Sequence, residues 1–333
     1  MPEERISDIA KKLSEQAKKE AEKAFEKGAA ALESAIEYRD SRKKEKEREA
    51  LEEAERHFKD AVDLRQDYIE AFVNLAAVVD SLGKEKEALN YCDHALEINS
   101  ENANAWFRKG IIFFHMRQYE RATECFEKAL SHEKKNGEIY YYAALALVFP
   151  SSKSEKGYER ALELFDKALS LGCDNVGIWG HKVLSLAMAG RPQSEIIECY
   201  KEALRKYPEN PFYWINLAAA YLTIFEFEKV REAAKNAKKF AQKIGDEKTA
   251  KDADKIADEI NEWAKIDESK FDQNNPIDLA NRGAYLKRAG NIFLALQHFQ
   301  RALELASKRR GKKNREVVKF AQEQINDLKT KLK

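Results

Sequence analysis

The chain repeats itself every 34 residues, and that period limits its fold more than any other property. Phe72, Trp106 and Tyr140 are spaced by this interval, as are Ala88 and Ala122, and Ala95 and Ala129. In the clearest unit, Ala103 to Asn136, the trio Trp106, Gly110 and Phe113 recurs at helical spacing, and so does the trio Ala122, Phe126 and Ala129. Each trio makes one stripe on a helix. Gly110 lets a second helix approach closely, and Phe126 fills the gap between small neighbours. A turn around Met116 to Tyr119 joins the two helices. One such hairpin buries only part of its apolar surface, so it requires copies stacked on either side.

The six marker residues occupy positions 4, 8, 11, 20, 24 and 27 of the unit, and in that spacing the chain resembles the tetratricopeptide repeat family from about Ala35 to Arg309. The resemblance implies an all-α superhelix, a solenoid of about seven helix-turn-helix repeats with extra terminal helices. It also implies that the first helix of each pair lines a concave groove that binds a partner protein. Periodicity by itself predicts only the solenoid, and a ribbon-like core of this kind predicts one continuous body.

Taken in order, residues 1–34 read as an N-terminal helical segment, with a charged amphipathic stretch to Lys27 and a new helix from Gly28 to Glu47. Residues 35–244 read as repeats one to six. Repeat four is lengthened by a loop over Pro150 to Gly157, because its trio Ala161, Phe165 and Ala168 arrives late. Residues 245–275 show helical spacing without the repeat markers and read as an inserted helix that could continue the one before it. Residues 276–309 restore the register as repeat seven through Gly283, Ala295, Phe299 and Ala302. Residues 310–333 read as a capping helix.

Composition narrows the function. The 59 basic and 58 acidic residues leave a net charge of +1, which argues against a nucleic-acid partner or an anionic membrane for the chain as a whole. The four cysteines, Cys92, Cys125, Cys173 and Cys199, form no CxxC and stand at no short spacing from histidine, so they read as small apolar seam residues and not as a metal site. The longest apolar run, Ile139 to Phe149, is too short to cross a bilayer, and the N-terminus lacks an apolar signal core, which points to a cytoplasmic protein. No phosphate-cradling glycine loop, HExxH or nucleophile elbow is present, so no enzyme and no cofactor is expected.

The binding residues follow from the resemblance. Its groove positions fall on Asn74 in repeat two, on Asn104, Phe107, Arg108 and Ile111 in repeat three, and on Tyr141 and Tyr142 in repeat four. They continue at His181 in repeat five and at Ile215 and Asn216 in repeat six. The tetratricopeptide cochaperones that grip a C-terminal carboxylate use a five-residue clamp. Its positions fall here on Arg39, Lys43, Asn74, Asn104 and Arg108, of which only Asn74 and Arg108 match the clamp residues. The expected function is therefore noncatalytic binding of a peptide or helix from a partner protein of unknown identity. The alternatives are a self-assembling homo-oligomer and, behind both, RNA binding through the basic run Lys308 to Arg315.

Overall fold

Small residues in the second helix of each pair decide how the pairs close. In the computed structural model, which describes residues 2–149, 155–173, 176–223, 226–264, 272, 274–288 and 292–331, all secondary structure among the described residues is helical. The chain divides into two compact units, Met1–Pro192 and Gln193–Lys333.

The first unit contains α1 (Pro2–Asp40), α2 (Lys44–Leu64), α3 (Ile69–Ser81), α4 (Glu85–Ile98), α5 (Ala103–His115), α6 (Tyr119–His132), α7 (Gly137–Val148), α8 (Glu155–Ser170) and α9 (Gly177–Met188). Ala54, Phe58 and Ala61 on α2 are fully buried, as are Ala88, Cys92 and Ala95 on α4, Ala122, Phe126 and Ala129 on α6, and Ala161, Phe165 and Ala168 on α8. These are the second-helix trios of the sequence pattern. A small-large-small stripe lets the two helices of a hairpin interlock with little lost space.

Glycine completes the lock. A Cβ on Gly110 would stand 2.5 Å from the Phe126 ring, so the ring occupies the volume that any other residue would need. Gly28 stands in the same relation to Phe58, at 2.8 Å. This corrects the reading of the N-terminus. Gly28 does not divide two helices, because α1 runs unbroken from Pro2 to Asp40 and uses Gly28 as the seat for the Phe58 ring. The turn comes later, at Ser41 to Lys43, where Arg42 takes a positive φ of 55°.

Successive first helices touch one another, α3 with α5, α5 with α7 and α7 with α9, and successive second helices approach less closely among the described residues. The first helices therefore take the inner side of the stack in this unit. The asparagine before α5 and the one before α7 cap those helices: Asn102 accepts from the Ala105 N–H at 2.9 Å and Asn136 from the Glu138 N–H at 2.9 Å. The extra loop predicted over Pro150 to Gly157 is shorter than expected, since Glu155 already begins α8; residues 150–154 lie outside the described residues.

The second unit contains α10 (Gln193–Lys206), α11 (Pro211–Thr223), α12 (Phe227–Ile244), α13 (Glu247–Ala264), α14 (Pro276–Arg288), α15 (Ile292–Ser307) and α16 (Lys312–Lys331). The helix read between repeats six and seven is α13. It does not continue α12, because Gly245 adopts the left-handed conformation (φ 73°) and donates back to Gln242, which ends α12. Residues 265–271, the later part of that inserted segment, lie outside the described residues. Farther on, Gly283 faces the Phe299 ring as Gly110 faces Phe126. Val317, Ala321, Ile325 and Leu328 of α16 close the same apolar cluster.

Candidate interaction surface

Five residues named from the sequence meet at one place. Phe107, Arg108 and Ile111 from α5, with Tyr141 and Tyr142 from α7, line a concavity of about 540 Å³ on the inner side of the first unit. Aromatic contacts run from its wall to two rings beyond it, Phe114 and Phe149. The Tyr142 ring lies edge-on to Phe107 at 5.6 Å and to Phe114 at 6.2 Å, and Phe114 meets the exposed Phe149 at 5.7 Å. Such tilted pairs hold the rings in fixed orientations.

Exposure differs from what the repeat positions alone would give. Phe107, Ile111 and Tyr141 are buried, so they floor the concavity and do not project from it. Tyr142 and Arg108 are half-buried and present the edge that a ligand would meet. His181 does not line the concavity but touches it through Tyr141, whose hydroxyl lies 3.4 Å from the His181 Nδ1. Asn74 is half-buried on α3 and Asn104 is exposed on the first turn of α5, and neither lines the concavity. Ile215 and Asn216 belong to α11 of the second unit, where the Asn216 side chain donates to the Phe212 carbonyl at 2.7 Å.

Arg108 is the informative charge. Its Nε is buried and has no hydrogen-bond partner among the described residues. Buried donors are normally satisfied, and one left open beside a cavity is the position at which an acceptor from outside would be stabilised. Asp80 is engaged by His115 through one oxygen, Nδ1 lying 2.8 Å from Oδ2, while its Oδ1 is buried with no hydrogen-bond partner among the described residues. The hydrogen bond to Asp80 raises the His115 pKa above its ordinary value, against the effect of burial. Burial pushes the Tyr141 phenol up to about 12 and raises Tyr142 too, so both hydroxyls stay protonated as donors. Burial lowers His181, which favours its neutral ring.

Two further parts of the sequence reading change here. Arg39, aligned with the clamp of repeat one, sits in the last turn of α1 and is paired with Glu47 at 2.6 Å, while Lys43 lies in the turn beyond. Arg39 is thus already bound by a carboxylate of the chain itself, and Lys43 belongs to no first helix. Conversely, the reading missed Asn136, Gly137, Glu138 and Leu171 to Cys173, which form the other wall. The signal was Gly137, whose Cβ would come within 3.0 Å of the Ala168 carbonyl oxygen and of Cys173 Cβ. All four cysteines are buried free thiols, as seam residues would be.

The chain matches the tetratricopeptide repeat over residues 69–102, 103–136 and 154–211. It belongs to the tetratricopeptide repeat family. The first two matches have the bounds that the 34-residue count gives for repeats two and three. Membership in the tetratricopeptide family makes the chain a protein-interaction module. Among curated proteins it is similar to Hsp70-Hsp90 organizing protein 3 of Arabidopsis thaliana, with 31% identity over 87 residues. That match takes in 26% of this chain and 16% of the organizing protein. It is also similar to an uncharacterized protein of Methanocaldococcus jannaschii, with 36% identity over 66 residues, 18% of this chain and 77% of that one. The solved structure of Pseudomonas aeruginosa pilF shares the fold at a TM-score of 0.50 and 17% identity, covering 68% of this chain and 99% of that one. Among the described residues no helix is long and apolar enough to cross a membrane.

Proposed function

We propose that the first unit binds a segment of a partner protein along the inner face of α5 and α7, without catalysis, and that the segment places a carboxylate on Arg108. The observation that carries this reading is the buried, unpartnered Nε of Arg108 beside an aromatic concavity. The chemistry around it suits recognition. A guanidinium offers a planar fork to a carboxylate, and the Tyr142 hydroxyl supplies a second donor nearby.

Magnitude sets the division of labour. A charge-assisted hydrogen bond contributes about 1.5 to 3 kcal/mol, whereas micromolar binding requires about 8 kcal/mol. The carboxylate alone is therefore too weak. Apolar contact with the rings of Tyr142, Phe114 and Phe149 has to supply most of the affinity, and the carboxylate sets the register. A displayed library of peptides with free C-termini tests this. The wild-type protein should retain peptides that combine an acidic or terminal carboxylate with an apolar side chain, and Arg108→Gln should lose the carboxylate preference. Retention of the same peptides by Arg108→Gln and by Tyr142→Glu would overturn the reading.

A further inference from the structure

Four aromatic residues stand at corresponding places in the first unit, and among the described residues cations cover Trp106 and Trp179 but neither Phe72 nor Tyr140. Trp106 of α5 carries the Lys128 ammonium over its ring at 4.1 Å and Lys109 at 5.5 Å. Trp179 of α9 carries Lys182 at 5.8 Å, and Lys182 is also paired with Asp166 at 2.6 Å. Phe72 of α3 stands 34 residues before Trp106, and among the described residues no cation lies over it. The residue 34 before Lys128 is His94, which meets the Phe72 ring with its own ring at 5.8 Å. Where repeat three places a lysine, repeat two places an imidazole.

The space left is large. A slot of about 560 Å³ lies between α2 and α4, on the outer side of the stack, with Phe72, Tyr91 and His94 in its wall. Its rim carries Asp63 and Glu97. Asp63 is exposed and forms no ion pair among the described residues, and Glu97 pairs with His94 at 3.2 Å. The one lysine in the lining, Lys59, is bound by Glu55 at 2.7 Å and by Glu87 at 3.2 Å, which offsets its charge. The slot thus combines aromatic faces with a negative rim, the combination that attracts an ammonium or guanidinium group.

We propose that the outer slot at Phe72, Tyr91 and His94 receives a lysine or arginine side chain from a basic segment of a partner protein, in the manner in which Lys128 covers Trp106. This site is separate from the inner face at Arg108, and the two select opposite charges. A partner that engages both would present a carboxylate to the inside of the stack and a cation to the outside.

The test uses the full chain and a peptide of alternating lysine and glycine, acetylated and amidated at its ends, followed by two-dimensional NMR. Saturable shifts are expected at Tyr91 and His94, and the same peptide with every lysine acetylated should produce none. His94→Lys places the protein's own ammonium where Lys128 sits in repeat three and should weaken the peptide about tenfold. Asp63→Asn, a surface change, should weaken it as well. Arg108→Ala should leave this binding unchanged, so failure here and failure of the inner-face reading are distinguishable. Equal shifts from the acetylated peptide, or undiminished binding by both His94→Lys and Asp63→Asn, would overturn the proposal. Shifts at Tyr91 and His94 on raising protein concentration without peptide would assign the slot to a second copy and overturn the partner assignment.

Discussion

Gly110→Ala is the smallest change that tests how the hairpins close. An alanine Cβ at this position would stand 2.5 Å and 2.7 Å from two carbons of the Phe126 ring, well inside ordinary van der Waals contact. The ring cannot swing away, because Phe126 is fully buried between Ala122 and Ala129, which are fully buried too. Either the ring leaves its rotamer or α5 moves away from α6. Overpacking of this kind costs about 1 to 3 kcal/mol, and so short an approach belongs at the upper end. Alanine recovers about 1 kcal/mol of helix propensity over glycine, which leaves a net loss of about 2 kcal/mol. Native-state hydrogen exchange of the α5 and α6 amides is the appropriate assay, since repeat arrays open locally. Protection in these two helices should fall about thirtyfold, and Gly110→Ala combined with Phe126→Leu should recover part of it. If the alanine variant exchanges as slowly as the wild type, the glycine-phenylalanine lock is wrong.

Three other outcomes follow from the same structure. The Asp80 hydrogen bond raises the His115 pKa, so its contribution to stability is fully present below the ordinary imidazole value of 6.5 and is lost as pH rises through the raised one. An NMR titration should place His115 above 6.5, and Asp80→Asn should lower it, since burial and Arg108 both oppose the charged ring. Burial pushes Cys92 up to about 12 and Cys125 up to about 11, so both thiols should resist alkylation at pH 8 in the native protein and react once it is unfolded. Because the Arg108 Nε has no acceptor, Arg108→Leu should keep or slightly raise the stability of α5 by hydrogen exchange, while peptide binding falls about tenfold or more.

How much of this was legible in the sequence depends on what each residue touches. The second-helix trios were readable because the same alanine-phenylalanine-alanine stripe recurs on α2, α6, α8 and α15. Gly28 was not, since a glycine in a charged segment looks like a break until the Phe58 ring is seen resting on it. The 34-residue count likewise runs through Pro192 with one added residue and gives no sign that the chain divides into two units there. At the inner face, repeat position identified Arg108 and Tyr142 but could not tell that Phe107 and Tyr141 would be covered by neighbouring rings, or that Ile111 would be buried with them. The wall at Leu171 to Cys173 lies in a turn after α8, outside any helix periodicity, where the Cys173 N–H donates to the Ala168 carbonyl at 3.0 Å.

In the proposed function, the leading helix of each pair presents the surface that a partner's acidic segment meets. Hydrogen exchange of the full chain, with and without a peptide selected for a carboxylate and an apolar side chain, tests it most directly. Added protection should concentrate in α5 and α7, around Arg108 and Tyr142, and vanish with Arg108→Gln. Protection confined to α4 and α6, with the inner helices unchanged, would contradict it.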